Sequence, residues 1–277
     1  MAGRQLTIAR PLASAIVNVT SDSFWEGARS RTAEQAIADG RRLLGEGFDL
    51  VDVGAVAARS GPPVAPETEA AALVPAVRGL AAAGAIVSAD TFSAHVAREA
   101  VGAGAAIVND ISGAADPHLL EVCAQTGCGL VLMHIEGPAR QDRPNHRYDD
   151  VAARLLEFFG AGLQRAASYG VAAEQIVLDP GLDFDLSVAD DLEIVRRLGE
   201  LRSLDRPLYL AISRKDFLGA VLAGSWEGRL DPGRRSWATV GLSALVTYAG
   251  AGVLRVHDAE AVDAMLVAAA LRAESGR

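Results

Sequence analysis

Short apolar runs alternate with longer amphipathic segments along the whole chain. The apolar runs lack the strict alternation of a half-exposed strand, so they fit parallel strands that are covered on both faces. In the segments between them, apolar residues recur at the spacing of a helix. The pattern therefore predicts repeated strand–helix units. The predicted strands cover residues 14–19, 50–53, 86–89, 106–108, 130–133, 176–178, 208–212 and 252–256.

The helical segments follow these strands through short connections. The first begins after Thr32, which has the spacing of a capping box with Gln35. The later ones cover residues 67–82, 93–103, 116–126, 149–169, 189–203, 236–249 and 258–273. Such a series of units favours an α/β fold, a closed (β/α)8 TIM barrel, over an open doubly wound sheet, although a sequence does not reveal strand order. We expect a single domain over residues 1–277.

Composition and charge restrict the possible partners. Half of the residues are apolar and 5% are aromatic, which suits α/β layers built from small aliphatic side chains. The formal charge of −9 speaks against a general nucleic-acid surface. No secretory signal pattern and no apolar run of bilayer length is present, so we expect a cytoplasmic protein without a membrane partner. Cys123 and Cys128 lack metal-ligand spacing, so we expect buried free thiols.

Polar residues stand at the carboxyl ends of the predicted strands, where a barrel would bring them together. One group consists of Asp90, Asn109, Asp179 and Lys215. Carboxylate and amide oxygens with one ammonium group can recognise the edge of a planar, donor-rich heterocycle. For any single residue, capping of the next helix or turn is at least as good an explanation.

A second group consists of Arg255, His257 and Asn18. A guanidinium fork and an imidazole suit a phosphate, and this fold often binds phosphate near its seventh and eighth strands. We assign three further acidic residues to capping alone, and we interpret residues 229–235 as a solvated loop. The three capping residues are Asp52, Asp110 and Asp258.

Seven short motifs, in this order, resemble the signatures of the dihydropteroate synthase family. They are Asn-Val-Thr-Ser-Asp-Ser-Phe at 18–24, Ser-Ala-Asp-Thr at 88–91, Asn-Asp-Ile-Ser-Gly at 109–113, Leu-Met-His at 132–134, Asp-Pro-Gly at 179–181, Ser-Arg-Lys at 213–215 and Arg-Val-His-Asp at 255–258. The resemblance covers nearly the whole chain. It implies a TIM barrel that joins 6-hydroxymethyl-7,8-dihydropterin pyrophosphate to p-aminobenzoate with Mg²⁺, the step that sulfonamides block, and it suggests a homodimer.

The resemblance also implies roles for particular residues. It gives the pterin to Asp90, Asn109, Met133, Asp179 and Lys215, of which Asp90, Asp179 and Lys215 would be catalytic. It gives the pyrophosphate to Asn18, Arg255 and His257, with Asn18 also on the metal. It gives the second substrate to the loop residues Phe24, Glu26, Ala58, Arg59, Ser60 and Asp216.

Several positions depart from the family pattern. The loop at 55–61 keeps Arg59 but lacks the usual Thr and Pro, as in the sulfonamide-insensitive synthases. Asp183 stands where Gly is usual, and Asp216 stands where Ser normally follows Ser-Arg-Lys. An ionised Asp216 would repel a benzoate, or it could turn outward and pair with Arg214 or a loop cation.

Three functional hypotheses remain open after these departures. The first is an authentic synthase that tolerates sulfonamides, with a raised KM for p-aminobenzoate that Asp216→Ser would lower. The second is a divergent paralogue that binds a pterin but uses another acceptor or none. The third, a pterin-binding domain of a cobalamin-dependent methyl transfer system, is disfavoured because that family lacks the Ser-Arg-Lys cation.

Overall fold

The computed structural model describes residues 6–19, 32–59, 61–141 and 147–274. Eight parallel strands lie in the order β6-β5-β4-β3-β2-β1-β8-β7. A single bridge between Leu178 and Leu208 joins the two outer strands, so the sheet closes into the predicted barrel. Every predicted strand is confirmed, with small shifts at the ends. The strands are β1 Leu12–Asn18, β2 Leu50–Gly54, β3 Val87–Asp90, β4 Ile107–Asp110, β5 Gly129–Met133, β6 Ile176–Asp179, β7 Tyr209–Ala211 and β8 Val253–Val256.

Helices surround the barrel and connect successive strands. The Thr32 hydroxyl accepts the backbone N–H of Gln35 at 3.3 Å, so α1 begins with the predicted cap. The prediction missed α7, a short and mostly buried helix, and it ran together α6 and a following 3-10 segment. The helices are α1 Ala33–Gly45, α2 Pro66–Ala82, α3 Ala94–Gly102, α4 Pro117–Thr126, α5 Val151–Ser168, α6 Val188–Arg196, α7 Asp216–Ala223, α8 Ser236–Ala249 and α9 Ala259–Glu274.

The barrel interior changes character from one end to the other. Leu12, Leu50, Val131, Tyr209 and Val253 form a buried apolar layer toward the amino ends of the strands. Because strand side chains alternate between faces, the residue two positions later points into the same interior. That residue is polar in several strands. The resulting interior pairs are Leu50 and Asp52, Ile107 and Asn109, Val177 and Asp179, and Val253 and Arg255.

Two further expectations concern the cysteines and the membrane. Cys123 and Cys128 are buried free thiols, as predicted. Among the residues that the structure describes, no helix has the length and apolar character needed to span a bilayer.

Candidate active site

The strand register brings three predicted residues, Asn18, Asp90 and Asn109, into one row with Gly54 at the carboxyl end of the barrel. Asn18 pairs with Gly54, Gly54 pairs with Asp90, and Asp90 pairs with Asn109. A Cβ atom on Gly54 would lie 3.2 Å from Asn18 Oδ1 and 3.5 Å from Asp90 Oδ2. Gly54 therefore leaves the space in which the Asn18 and Asp90 side chains approach each other.

Arg255 connects the two groups that the sequence suggested. Its Nε donates to Asp52 Oδ2 at 2.6 Å, and its Nη2 donates to Asp90 Oδ2 at 2.8 Å. Asn109 Nδ2 donates to the same Asp52 oxygen at 3.1 Å. Asp52 is fully buried, and its assignment to capping was wrong, because its carboxylate instead anchors Arg255 and Asn109 inside the barrel. The pterin group and the phosphate group are thus one network.

Asp179 lies beside this network at the end of β6. Its Oδ1 accepts the backbone N–H of Gly181 at 2.8 Å, which fixes the carboxylate, and its neighbour in the register is Met133. Met133 belongs to a small apolar cluster with Ile111 and Ile135. A carboxylate next to a flat apolar wall suits a heterocycle that is bound by its edge and covered on its face.

Lys215 completes the group at the end of β7. Its Nζ donates to the carbonyl of Leu182 at 2.9 Å and lies 4.6 Å from the centroid of the Phe184 ring. Arg214 adopts a left-handed conformation, with φ 55°, that non-glycine residues rarely take. Thr239 holds this turn by accepting the Arg214 N–H at 2.9 Å, so Lys215 projects into the site.

His257, which follows β8, contacts Ser213, which follows the neighbouring strand β7. The Ser213 hydroxyl accepts the His257 backbone N–H at 3.3 Å and lies 2.7 Å from His257 Nδ1. These contacts fit a neutral imidazole whose proton is on Nε2. Burial, with Arg255 and Arg214 nearby, lowers the pKa of His257 to about 3. His257 can therefore donate a hydrogen bond to an anion but carries no charge near neutral pH.

Burial also shifts the acidic groups of the site. It raises the pKa of Asp90 to about 7, although Arg255 opposes the shift, and it raises the pKa of Asp179 to about 6. Burial lowers the pKa of Lys215, while Asp183 and Asp179 oppose that change. Carboxyl groups that titrate near neutrality in a cleft are typical of functional sites.

Two of the acidic residues assigned to capping have different outcomes. Asp110 accepts the backbone N–H groups of Ser112 at 2.7 Å and Ala114 at 2.6 Å, so it caps a turn as predicted. Asp258 precedes α9, but its carboxylate accepts from Arg214 Nη2 at 2.6 Å instead of capping that helix. The Arg214 side chain thus points away from the site, although Ser213 and Lys215 on either side belong to it.

Asp183 and Asp216, the two departures from the family pattern, are both built into the fold. Asp183 has φ 66°, a left-handed conformation that Asp tolerates better than most residues. Its carboxylate accepts the N–H groups of Asp216 and Phe217, so it caps α7. Asp216 is only 5% exposed and is not turned outward.

Arginines surround the Asp216 carboxylate. Arg235 Nη1 lies 2.7 Å from Oδ1, Arg229 Nε lies 3.4 Å from Oδ1, and Arg59 bonds Oδ2. Loop arginines, and not Arg214, therefore pair with Asp216. Arg235 is 2% exposed, so the prediction of a solvated loop was wrong for this residue.

The remaining second-substrate residues divide into two sets. Ala58 packs against the apolar cluster of Met133 at the same end of the barrel. Phe24, Glu26 and Ser60 lie outside the described residues.

Comparison with known proteins agrees with this geometry. The profile described as "Pterin binding enzyme" matches residues 14–257. A dihydropteroate synthase of Mycobacterium leprae is 39% identical over 261 residues, which cover 92% of this chain and 91% of that protein. A second protein of that organism, named "Inactive dihydropteroate synthase 2", is 35% identical over 277 residues, covering 96% and 92%.

A solved structure of similar shape is the Xanthomonas albilineans dihydropteroate synthase with 4-aminobenzoic acid. Its TM-score is 0.87 at 37% sequence identity, and the match covers 98% of this chain and 97% of that one. The chain therefore belongs to the dihydropteroate synthase family of pterin-binding enzymes.

Proposed function

We propose that this chain joins 6-hydroxymethyl-7,8-dihydropterin pyrophosphate to p-aminobenzoate, forming 7,8-dihydropteroate and pyrophosphate in folate biosynthesis. It is then a transferase, and its expected location is the cytoplasm. The observation that carries the proposal is the buried network in which Arg255 joins Asp52 to Asp90, beside Asp179 and Lys215. The relatives named dihydropteroate synthase support it.

The pterin would lie between the network and the apolar wall. A pterin has N–H and amino donors along one edge, for which Asp90 and Asp179 supply carboxylate acceptors. Asn109 offers an amide that is already oriented by Asp52, and Lys215 offers a cationic donor. Fixed donors and acceptors in a dry site stabilise charge that develops on the ring without further reorganisation.

The pyrophosphate would bind at the other side of Arg255. His257 contributes a neutral donor there, and Arg255 contributes a guanidinium that its carboxylate partners keep in place. Asn18 suits Mg²⁺, since this ion often takes only one or two protein oxygens together with phosphate oxygens and water. Asn18 Oδ1 faces the open space above Gly54, which fits that arrangement. When bound, the ion neutralises charge on the leaving group.

The reaction itself needs no covalent enzyme intermediate. The C–O bond to pyrophosphate breaks and the electron pair leaves with the pyrophosphate. The arylamine then attacks the resonance-stabilised pterin cation, a C–N bond forms, and the nitrogen loses a proton. Asp90 and Asp179 hold the electron-poor ring in position during both steps.

A divergent paralogue without synthase activity is the second candidate. The observation that favours it is the altered acceptor side, where Asp183 and Asp216 add carboxyl groups and the relative named inactive is 35% identical. This candidate retains the pterin site described above. It predicts pterin binding without formation of dihydropteroate.

Complementation and a purified assay separate these candidates. The gene would be expressed in a host that lacks its own synthase, and growth without thymidine would be scored. The purified protein would be assayed for dihydropteroate with Lys215→Met as the inactive control. Arg42→Gln is the matched neutral control, because Arg42 lies on the exposed face of α1 and pairs with Glu46. Growth and product formation that Lys215→Met abolishes support the synthase, and pterin binding without product supports the paralogue.

A further inference from the structure

Lys215 is the only lysine in the sequence, so all the other residues among its 26 Lys+Arg are arginines. An arginine keeps its charge in a protein, whereas a lysine can lose its proton when it is buried. Burial lowers the pKa of Lys215, whose ammonium lies 4.6 Å from the centroid of the Phe184 ring. A cationic donor at this position therefore needs a nearby negative charge that opposes the effect of burial.

Asp183 is held beside Lys215 by two contacts that run in opposite directions. Lys215 Nζ donates to the carbonyl of Leu182 at 2.9 Å, so the lysine side chain reaches the turn after β6. The Asp183 carboxylate accepts the N–H groups of Asp216 and Phe217, so it reaches the turn after β7. Each turn thus holds the other, and the junction between them contains both the carboxylate and the lysine.

The backbone of Asp183 is fixed as well. It has φ 66°, and its N–H donates to Asp191 Oδ1 at 2.9 Å. Asp183 is 8% exposed and Asp191 is fully buried. The junction therefore contains two buried carboxyl groups, and their surroundings decide which of them is ionised.

These surroundings assign the proton to Asp191. Burial raises the pKa of Asp191 well above its usual value, and the charge of Asp183 raises it further. Burial also raises the pKa of Asp183, but the charge of Lys215 and the two N–H groups of α7 oppose that change. Asp183 is thus the ionised member of the pair, and Asp191 is a neutral acid that orients it.

Several charged or titratable groups face Lys215 from the surrounding strands and helices. Asp183 opposes the effect of burial more strongly than Asp179 does. The other groups are Asp191 on α6, Arg255 on β8, which acts in the same direction as burial, and the neutral His257 after β8. Asp183 stands where the family pattern has Gly. This chain therefore has, at its one lysine, a carboxylate that the family pattern lacks.

We propose that Asp183 is a positioning residue that keeps Lys215 fixed and positively charged in the pterin site, and that the neutral Asp191 orients Asp183. A charged Lys215 gives an acceptor on the heterocycle a stronger hydrogen bond than a neutral amine would give. The identity of the ligand rests on the proposed function. The charge of Lys215, in contrast, can be measured in the protein without any ligand.

The single lysine makes this charge observable by NMR. Untagged protein labelled with ¹³C at lysine Cε should give one side-chain signal, which Lys215→Met removes, and its chemical shift reports the charge as the pH rises from 6 to 11. We expect Lys215 in Asp183→Asn to titrate at a pH at least about one unit below that of the wild type, because a nearby opposite charge typically moves a pKa by about 1–3. Asn is the matched substitution, since it tolerates the left-handed conformation and keeps an oxygen for the N–H groups of α7.

Three further variants separate charge from structure. Asp191→Asn keeps the acceptor for the Asp183 N–H and changes no charge, so Lys215 should titrate within about 0.3 pH units of the wild type. Arg42→Gln, whose charge is remote from the site, should leave the titration unchanged. Asp183→Gly suits the left-handed backbone and should lower the titration point as Asp183→Asn does, so it gives the measurement even if the Asn variant does not fold.

Binding of 6-hydroxymethylpterin tests the consequence for the site. At each pH, calorimetry would give the Kd of Asp183→Asn divided by that of the wild type, a ratio in which ionisation of the ligand itself cancels. We expect this ratio to be about threefold or less at pH 6, and to rise at least about fivefold further as Lys215 of the variant loses its proton. A damaged site would instead raise the ratio equally at every pH.

Three results would overturn the proposal. They are a neutral Lys215 amine in the wild type at pH 7, an unchanged titration point in both Asp183 variants, and a decrease in Asp191→Asn as large as that in Asp183→Asn. The proposed function fails separately, if Lys215 titrates as expected but the wild type forms no dihydropteroate from its precursors.

Discussion

Arg255 Nη2 lies 2.8 Å from Asp90 Oδ2, and the same guanidinium reaches Asp52 through Nε at 2.6 Å. This relationship joins the pterin and phosphate groups that the sequence kept apart. Asp52 is fully buried, and the guanidinium of Arg255 is its ion-pair partner. A change at Arg255 must therefore affect the pterin site as well as the phosphate site.

We expect Arg255→Ala to weaken binding of both 6-hydroxymethylpterin and its pyrophosphate. Removing one partner of a buried ion pair typically costs about 3–5 kcal/mol, so we also expect a lower Tm. Arg255→Lys keeps the charge but cannot bridge Asp52 and Asp90. Its ligand affinities and its Tm should therefore lie between those of the wild type and those of Arg255→Ala. Calorimetry with both ligands and thermal unfolding would measure these effects. Loss of affinity for the pyrophosphate form alone would mean that the two groups are independent.

The raised pKa of Asp179 predicts a pH dependence of pterin binding. Burial brings this pKa to about 6, against about 3.9 for an unperturbed Asp. Between these values the folded protein is protonated at Asp179 and the unfolded chain is not. This group's stabilising contribution is therefore present at low pH and lost as the pH rises through about 6.

Ligand affinity should change in the opposite direction, because pterin donors bond the ionised carboxylate more strongly. We expect the Kd of 6-hydroxymethylpterin to fall as the pH rises from 5 through about 6, where Asp179 ionises, and to fall further through about 7, where Asp90 ionises. Asp179→Asn is the matched control, since it keeps an acceptor but cannot ionise. Its Kd should be weaker, and its pH profile should lack the Asp179 contribution. An identical profile in both proteins would assign the dependence to another group, such as Asp90.

His257 should remain neutral throughout the working range. Its lowered pKa, about 3, means that the buried imidazole takes up no proton near pH 6.5, where an ordinary His titrates. Nitrogen NMR of the imidazole from pH 5 to 8 should show an unchanged neutral ring with its proton on Nε2. A titration near pH 6.5 would contradict this. His257→Gln, which keeps a neutral donor, should retain more affinity for pyrophosphate than His257→Ala.

The exposed apolar faces of α8 and α9 support the homodimer that the family resemblance suggested. Trp237 is 80% exposed, Val267 62% and Leu271 57%. Exposed apolar patches of this kind often mark protein interfaces. We expect sedimentation velocity at micromolar concentration to show a dimer, and Val267→Glu with Leu271→Glu to give a monomer. Tyr169→Glu, at an exposed position just after α5, is the control that should stay dimeric. A wild-type monomer would reject the prediction.

The sequence predicted the barrel because burial on both faces makes each strand an apolar run with polar residues at its end. It did not reveal the role of Asp52 in the site, because Asp52 lies inside a strand and not after it. Residues 50, 52 and 54 share one face of β2, so period-two counting could have placed Asp52 inside the barrel beside Arg255. The same counting separates interior polar residues from caps.

The surroundings of Asp216 could not be predicted in this way. Arg235 reaches it from a loop, through a gap that Gly219 leaves in α7. No local pattern links these three positions. The helix α7 itself was missed because nearly all of its first turns are buried, which removes the amphipathic spacing that marks a surface helix.

The expectation that Asp216 repels p-aminobenzoate treated its carboxylate as unpaired. Because three arginines contact it, Asp216→Ser would leave the buried Arg235 without its carboxylate partner. We therefore expect this variant to lose about 3 kcal/mol of stability, in place of a gain in acceptor affinity. Thermal and urea unfolding of the wild type and Asp216→Ser would measure the difference. Equal stability would show that the ion pair between Arg235 and Asp216 contributes nothing to the free energy of unfolding.

Discrimination against sulfonamides should instead depend on Arg59. A sulfonamide replaces the carboxylate of p-aminobenzoate with a bulkier sulfonyl group that presents less negative charge to a guanidinium fork. We compare the ratio of sulfonamide Ki to p-aminobenzoate KM with the same ratio in a synthase that has Ser at the position of Asp216. We expect the ratio to be at least about tenfold higher in this protein, which corresponds to about 1.4 kcal/mol of differential binding. Arg59→Gln should raise the KM more than the Ki and so narrow the ratio, whereas Arg42→Gln should leave it unchanged. Drug sensitivity equal to that of the Ser-bearing synthase, or a ratio that Arg59→Gln does not alter, would show that the loop arginine does not set this preference.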